Sequence, residues 1–342
     1  MKICIYGAGA IGGYMGVLLH RAGAEVSLIA RGAHLEAMQR NGVRLLIGEE
    51  EITARPHCTD DPAELGPQDL VVIALKAHSV PAVVEAMQPL LSNDTAILTA
   101  VNGIPYWYFH RHGGDWEGSI VESVDPGGLQ WQTLRPERAI GCVVYPATEV
   151  VAPGLIKHIY GAKLPIGEPD GSLSPRVKKL ASLLEAAGFE APIHERIRDE
   201  IWLKLWGNLC FNPISALTHA TLDAICADPD TRSVARNIML EAKSIAELLG
   251  VRFRVDIERR INGAAAVGAH RTSMLQDLEK GRLIELDALL TVVQEIGRLV
   301  DLDTPIIDTV LALTQQMGRV AKVYPTFPQT AAEDEAAVRS VD

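Results

Sequence analysis

The sequence predicts an α/β domain built on a doubly wound parallel sheet, followed by an all-α helical domain. Three observations support this prediction. Short apolar segments alternate with helix-like segments through the first half of the chain. Several of those apolar segments lack polar alternation, as strands buried on both faces do. After about residue 195, strand-like segments nearly vanish and the rest of the chain has helical periodicity.

Length and composition set the number of domains and exclude some classes of partner. The chain has 342 residues, 48% of them hydrophobic and 22% charged, which is a globular composition too long for one ordinary core. We expect a first domain over residues 1–195, a helical domain over 196–328 and a frayed acidic tail over 329–342. The formal net charge of −11 argues against a nucleic-acid surface.

The elements of the first domain follow from periodicity and glycine stops. The chain opens with a strand, a glycine turn and a helix that Gly23 closes, followed by a second strand. Residues 69–75 and 95–101 are apolar runs that we predict to be parallel strands, with a helix over VPAVVEAMQPLL between them. The later segments GCVVYPA, LIKHI and LPIGE predict further strands, and PRVKKLASLLEAAG predicts an amphipathic helix.

The second domain is predicted to contain long helices only. Periodicity places them over residues 198–218, 229–249, 272–280 and 284–300. A last helix lies in VDLDTPIIDTVLALTQQMG, where Pro305 stands in its first turn, a position that proline favours.

Cysteine and histidine usage predicts no metal and no disulfide framework. The five cysteines are scattered and never form a CxxC pair, and the ten histidines show no ligand spacing. Free thiols are typical of a reducing compartment. We see no signal peptide and no apolar run of the ~20 residues that span a bilayer. We therefore expect a soluble, cytoplasmic protein that binds neither nucleic acid nor membrane.

A glycine-rich turn follows the first strand and opens the first helix. In this motif the first two glycines allow a tight turn and the close approach of a pyrophosphate, and the third allows close packing of helix on strand. The helix dipole then favours the phosphates. The context predicts a Rossmann-type dinucleotide site, formed by Gly7, Ala8, Gly9, Ala10, Ile11 and Gly12.

Arg31 indicates which dinucleotide binds. An NAD site usually has Asp or Glu at the end of the second strand, where it bonds the ribose hydroxyls. Here the strand EVSLIA runs into Arg31, whose cation can pair with a 2′-phosphate. The sequence therefore predicts NADPH/NADP+ as the cofactor, with an exposed loop arginine as the alternative.

A polar stripe interrupts the predicted helix over residues 198–218. Lys204, Asn208 and Asn212 recur at steps of four, which stacks them on one face of a helix that is otherwise apolar. Buried amide and ammonium groups need hydrogen-bond partners. The stripe therefore either bonds neighbouring backbone or lines a polar cleft.

Ordered motifs give the chain a resemblance to a known family. GAGAIGG opens it, ALKA holds Lys76, VNG holds Asn102, KLWGNLCFNP holds the polar stripe, and TSMLQDLEKGRLIELDAL holds Ser273 and Glu285. To about residue 320 the chain resembles ketopantoate reductase (2-dehydropantoate 2-reductase). The resemblance implies NADPH-dependent reduction of a 2-oxo acid, most simply 2-dehydropantoate to pantoate in pantothenate and coenzyme A biosynthesis.

The resemblance also implies roles for individual residues. Lys204 would be the general acid that protonates the keto oxygen, and Glu285 would bind a substrate hydroxyl and help hold Lys204. Lys76 and Asn102 would line the nicotinamide and substrate cleft. The remaining substrate contacts would come from Asn208, Asn212 and Ser273. Two of these residues have structural alternatives, since Ser273 could be a helix N-cap or first-turn residue and Glu285 an ordinary first-turn acid.

Departures from the family pattern leave the substrate open. Members commonly have QNG where this chain has VNG, and an Asn-Gly pair where it has Leu290 and Thr291. Residues 104–139 form a longer connection than usual, rich in aromatic residues. It could be an external flap or dimer contact, or its six large aromatics could roof the active site and select a bulkier 2-oxo acid: Tyr106, Trp107, Tyr108, Phe109, Trp116 and Trp131. A paralogous reductase, a non-catalytic NADP(H)-binding sensor and a homodimer therefore stay open.

Overall fold

The computed structural model describes residues 1–325, so the predicted tail over 329–342 lies outside the described residues. The chain forms two compact units. The first contains Met1–Asn208, Ala242–Arg254 and Asp287–Asp303, and the second contains Leu209–Glu241, Val255–Leu286 and the chain from Thr304 onwards. The domain boundary expected after residue 195 stays a prediction. Each compact unit is made of several separate segments, and the first break between units falls after Asn208.

A mostly parallel sheet forms the centre of the first unit. The strands of the chain are β1 (Lys2–Tyr6), β2 (Glu25–Ile29), β3 (Val43–Ile47), β4 (Glu50–Ala54), β5 (His57–Thr59), β6 (Leu70–Ile73), β7 (Ala96–Thr99), β8 (Ala139–Cys142), β9 (Ala147–Ala152), β10 (Leu155–Tyr160) and β11 (Ile166–Gly167). The central sheet has the order β11-β8-β7-β6-β1-β2-β5. All its neighbours pair in parallel except β11, which is antiparallel to β8. The strand order reverses at β1, which confirms the predicted doubly wound α/β class.

A second, four-stranded sheet was not predicted. Its order is β4-β3-β10-β9, and β3 pairs in parallel with β10, so that Leu155 lies opposite Arg44. This pairing joins segments far apart in sequence, which local patterns do not reveal. A Cβ on Gly13 would lie 2.7 Å from the Ile156 side chain, so β10 packs closely on the first helix.

The helices cover the first sheet and make up the second unit. In chain order they are α1 (Ala10–Arg21), α2 (Gly32–Asn41), α3 (Leu129–Leu134), α4 (Pro175–Ala186), α5 (Ile197–Thr218), α6 (Leu222–Ala227), α7 (Pro229–Leu248), α8 (Ile257–Ala265), α9 (Ser273–Glu279), α10 (Val292–Leu299) and α11 (Pro305–Val320). In the second unit, the Glu241 carboxylate accepts hydrogen bonds from the backbone N–H groups of Ile306 and Ile307, at 2.8 and 2.9 Å. A carboxylate at this position stabilises the start of α11, where the helix dipole is positive.

Two predicted helices differ from the structure. The segment VPAVVEAMQPLL forms short 3₁₀ turns, Pro81–Val83 and Glu85–Leu90, instead of an α-helix. Pro89 lies inside the segment, where it lacks the N–H that an α-helix needs and its ring crowds the carbonyl four residues earlier, which explains the difference. The predicted helix over 284–300 begins later, with a π-helical turn at Asp287–Thr291 that leads into α10.

Residues 1–325 contain neither a helix able to cross a membrane nor a cluster of metal-binding side chains. None of the helices within this range combines the length and the apolar character needed to cross a membrane. The same residues contain no group of three or more His, Cys, Asp or Glu side chains placed to hold a metal ion.

Candidate active site

The candidate site lies at the carboxyl edge of the central sheet. Because β1, β2, β6, β7 and β8 are parallel, the loops that follow them emerge along one edge. These loops carry the residues singled out in the sequence. The glycine loop follows β1, and the other loops carry Arg31, Lys76, Asn102 and Val144.

The glycine loop has the geometry of a phosphate cradle. Gly7 has φ +103°, and a Cβ on Gly12 would lie 2.0 Å from the Gly7 carbonyl oxygen, so both positions require glycine. Gly9 caps α1 without a side-chain hydrogen bond, and α1 has no acidic residue in its first turn. A Cβ on Gly9 would meet nothing within 4 Å. The space beside Gly9, in front of a positive helix end, fits the pyrophosphate of a dinucleotide.

Arg31 and Lys76 lie on loops of the same edge, after β2 and β6, the strands on either side of β1. Arg31 is exposed and directly precedes α2, at the position where an NAD site usually has an acid. Lys76 is exposed and precedes the 3₁₀ turn Ala77–Ser79. Both cations are therefore presented at the edge that carries the glycine loop.

Lys204 reaches this edge from α5. Its Nζ donates a hydrogen bond of 2.6 Å to Asn102 Oδ1 and another to the Val144 carbonyl oxygen. The ammonium also lies 5.9 Å from the centre of the Tyr145 ring, within cation–π range. The structure thus brings together Lys204 and Asn102, two residues far apart in sequence that were assigned to one site.

Gly103 fixes the backbone that carries Asn102. Its φ is +91°, and a Cβ there would lie 2.0 Å from the Ala288 carbonyl oxygen. The next residue, Ile104, donates its backbone N–H to that same oxygen at 3.3 Å. The Asn-Gly sequence is therefore a structural requirement of the loop, and it holds the amide in place for Lys204.

Sequence reasoning missed two groups beside Lys204 and an acid one turn earlier on α5. Val144 contributes a backbone oxygen and Tyr145 a ring, and their only signal was that they follow a parallel strand. Glu200 stands one turn before Lys204, where the steps of four could have revealed it. Its buried carboxylate pairs with Arg254 at 3.1 Å.

Cys142, at the end of β8, does not supply a reactive thiolate. Burial raises the pKa of its thiol to about 12, although the charge of Lys204 acts in the opposite direction. At neutral pH the group therefore stays a thiol. Because only the thiolate is an effective nucleophile, the side chain is unreactive. This edge therefore presents ammonium and amide groups and no thiolate from Cys142.

The other assigned residues occupy different settings. Asn208 is half-buried on α5, one turn beyond Lys204 in the first unit. In the second unit, Asn212 is buried and Glu285 is only 7% exposed. Ser273 is the exposed first residue of α9, whose N-cap is Thr272. Glu285 precedes the π-helical turn, so it is not a first-turn acid.

The aromatic connection over residues 104–139 is not an open roof at 106–109. Tyr106, Trp107, Tyr108 and Phe109 are 0–4% exposed, so their side chains do not line an open cleft. For these four rings the hypothesis of a roof over the active site is therefore wrong. Trp116 and Trp131 are half-buried, and for them it stays a prediction. Trp107 bonds to Thr99 of β7, and Tyr108 accepts a hydrogen bond from Trp202 of α5.

Comparison with known proteins identifies relatives along the whole described chain. The family model described as ketopantoate reductase PanE/ApbA matches residues 3–106, and its C-terminal counterpart matches residues 196–318. A 2-dehydropantoate 2-reductase of Mesorhizobium japonicum is 56% identical over 319 residues, which cover 93% of this chain and 98% of that protein.

Solved structures agree with these sequence matches. The crystal structure of a putative ketopantoate reductase from Ralstonia solanacearum has 40% identity and a TM-score of 0.91, covering 94% of this chain and 99% of that one. The structure of a PanE/ApbA family ketopantoate reductase from Ralstonia eutropha has 28% identity and a TM-score of 0.81, covering 94% and 100%.

Proposed function

The chain belongs to the ketopantoate reductase family, and on that premise we propose that it reduces 2-dehydropantoate to pantoate with NADPH. This reaction is a step of pantothenate and coenzyme A biosynthesis. The observation that carries the proposal is the contact between Lys204 and Asn102 at the carboxyl edge that holds the glycine loop. A cationic donor and a dinucleotide cradle on one sheet edge are what reduction of a carbonyl requires.

The residues of the first unit suit the cofactor. The glycine loop and the start of α1 would hold the pyrophosphate, and Arg31 would pair with the 2′-phosphate. Lys76 and Asn102 would line the nicotinamide end. When bound, NADPH supplies the hydride.

The proton would come from Lys204. Negative charge develops on the keto oxygen during reduction, and an ammonium donor stabilises that charge more in the transition state than in the ground state. Asn102 and the Val144 carbonyl hold the ammonium from one side. By family resemblance we assign substrate contacts to four further residues, Asn208, Asn212, Ser273 and Glu285.

The test of this function is NADPH oxidation followed by absorbance, with 2-dehydropantoate set beside several bulkier 2-oxo acids. We expect 2-dehydropantoate to give the highest kcat/KM of the panel. A preference for a bulkier acid would identify a paralogous reductase. Binding of NADPH without turnover of any acid would instead support the NADP(H) sensor.

Cofactor preference provides a separate prediction for Arg31. Replacing it by serine should lower the preference for NADPH over NADH by about tenfold, since a charge-assisted hydrogen bond contributes about 1.5–3 kcal/mol before solvent exposure reduces it. The ratio of kcat/KM for the two cofactors measures the effect. Arg40→Ser, which removes an exposed arginine at the end of α2, is the matched control. Equal ratios in the two variants would contradict the assignment.

Compartment and assembly are further parts of the proposal. The five cysteines are free and buried, which fits a reducing cytoplasm. A homodimer stays a prediction that sedimentation equilibrium would test directly.

A further inference from the structure

The segment over residues 106–110, buried except for the half-buried His110, contacts the first turns of α5. The Arg198 side chain donates to the backbone carbonyls of Tyr108 at 2.8 Å and His110 at 2.7 Å. It also donates to the Pro169 carbonyl at 2.5 Å. Its guanidinium lies 5.5 Å from the centre of the Tyr108 ring, within cation–π range. One arginine of α5 is thus bonded to two separate loops.

A second contact joins the same segment to α5 one turn later. The Trp202 indole N–H donates to the Tyr108 hydroxyl at 2.7 Å, and both side chains are 0% exposed. Arg198 and Trp202 are four residues apart and therefore share one face of the helix. Tyr108 contacts both of them, through its backbone carbonyl and its hydroxyl.

The same segment is also tied to the strand that leads to Asn102. The Trp107 indole N–H donates at 3.0 Å to the hydroxyl of Thr99, the last residue of β7. A Cβ on Gly141 of β8 would lie 2.9 Å from the Trp107 ring, so the indole packs directly on the sheet. Trp107 therefore fixes the segment to the sheet at Thr99, which precedes Asn102 by three residues.

These contacts lie on the side of α5 roughly opposite to Lys204. At about 100° per residue, Lys204 projects about 200° away from Trp202. The hydrogen bonds to Arg198 and Trp202 fix the rotation of α5 about its axis and its position along that axis. They therefore determine where the Lys204 ammonium lies. Lys204 Nζ lies 2.6 Å from Asn102 Oδ1, and the geometry of this contact depends on where α5 presents the lysine side chain.

We propose that Tyr108 is a positioning residue for the reaction, acting through Trp202 and α5 to hold the Lys204 ammonium against Asn102. The proposal rests on the proposed function, because it assigns Lys204 the role of proton donor. The aromatic connection then aligns α5, which carries the donor, with the loop after β7, which carries the amide of Asn102.

The test compares two substitutions of the same kind, two residues apart. Tyr108→Phe removes only the hydroxyl that accepts from Trp202. Tyr106→Phe removes a buried hydroxyl that has no hydrogen-bond partner among residues 1–325. We expect kcat to be about tenfold lower in Tyr108→Phe, with the KM for NADPH unchanged. Misplacing a catalytic group lowers the rate of the chemical step by about this factor or more. Tyr106→Phe should leave both constants unchanged.

A double-mutant cycle separates positioning from general structural damage. If Tyr108 acts by holding Lys204 against Asn102, its substitution should have little further effect on kcat in an Asn102→Ala background. Effects on kcat that multiply would overturn the proposal. Arg198→Lys keeps the charge but loses the planar fork, and it should lower kcat in the same way. It replaces Tyr108→Phe in the cycle if that variant melts below the assay temperature.

A readout that does not need turnover separates this proposal from the proposed function. In protein labelled with ¹³C-lysine, the Lys204 side-chain resonance is identified by its absence from Lys204→Arg. We expect it to shift in Tyr108→Phe and to stay in place in Tyr106→Phe. No turnover by the wild type would refute the function while this resonance still tests the positioning. A working wild type whose resonance and kcat are both unchanged in Tyr108→Phe would refute the positioning alone.

Discussion

Lys204→Ala should lower kcat by about 10²–10⁴-fold, the range that a general acid contributes. The ammonium is the cation that the structure holds with Asn102 and Val144, and alanine removes the donor completely. The Kd for NADPH should change much less, because the glycine loop and Arg31 would hold the phosphates. Steady-state kinetics with 2-dehydropantoate and a fluorescence titration of NADPH measure the two effects separately.

Lys163→Ala is a closely matched control for that variant. The Lys163 ammonium lies 5.5 Å from the centre of the Tyr145 ring, the same ring that Lys204 approaches at 5.9 Å. The two substitutions thus remove the same chemical group from the surroundings of one tyrosine. We expect kcat to fall only in Lys204→Ala. A comparable loss in both variants would show that the positive field near Tyr145 matters, and not the proton that Lys204 donates.

Gly9→Ala should weaken NADPH binding by about 5- to 150-fold while the protein folds normally. An added methyl group meets no protein atom within 4 Å, so the fold tolerates it. It would, however, occupy the space assigned to the pyrophosphate, and overpacking of this kind costs about 1–3 kcal/mol, which sets the expected range of Kd. Isothermal titration with NADPH measures the Kd, and thermal unfolding reports the fold.

Two further glycines make this prediction specific. Gly263→Ala in α8 adds the same methyl group where nothing lies within 4 Å, and it should leave the Kd unchanged. Gly12→Ala would place a Cβ 2.0 Å from a backbone oxygen, so it should destabilise the fold itself. Unchanged NADPH affinity in Gly9→Ala would mean that the cofactor does not approach this loop.

The central sheet and the glycine loop could be predicted because their signals are local. Gly7, Gly9 and Gly12 stand between a strand and a helix, and β6 and β7 are continuous apolar runs. The second sheet could not be predicted in the same way. It depends on the pairing of Leu155 with Arg44, and neither segment alone shows that it has a partner.

The candidate site was predictable in its side chains and less so in its backbone and packing. Lys204 and Asn102 were identified from motifs, and the structure places them in contact. The Val144 carbonyl carries no residue-type signal, because every residue has one. A roof over the active site was one of the alternatives left open for Tyr108, because an aromatic cluster in a long connection does not reveal which side of the sheet it covers. Its position against the face of α5 that carries Arg198 and Trp202 is known from its hydrogen bonds with those two residues.

Transfer of deuterium tests the proposed reduction most directly. NADPH labelled at the hydride position of the nicotinamide, in either stereochemical form, would be incubated with 2-dehydropantoate and the wild-type protein, and the product analysed by mass spectrometry. We predict pantoate that carries one deuterium at the former keto carbon with one of the two labelled forms, and no such product with Lys204→Ala on the same time scale. Oxidation of NADPH without deuterated pantoate would contradict the account.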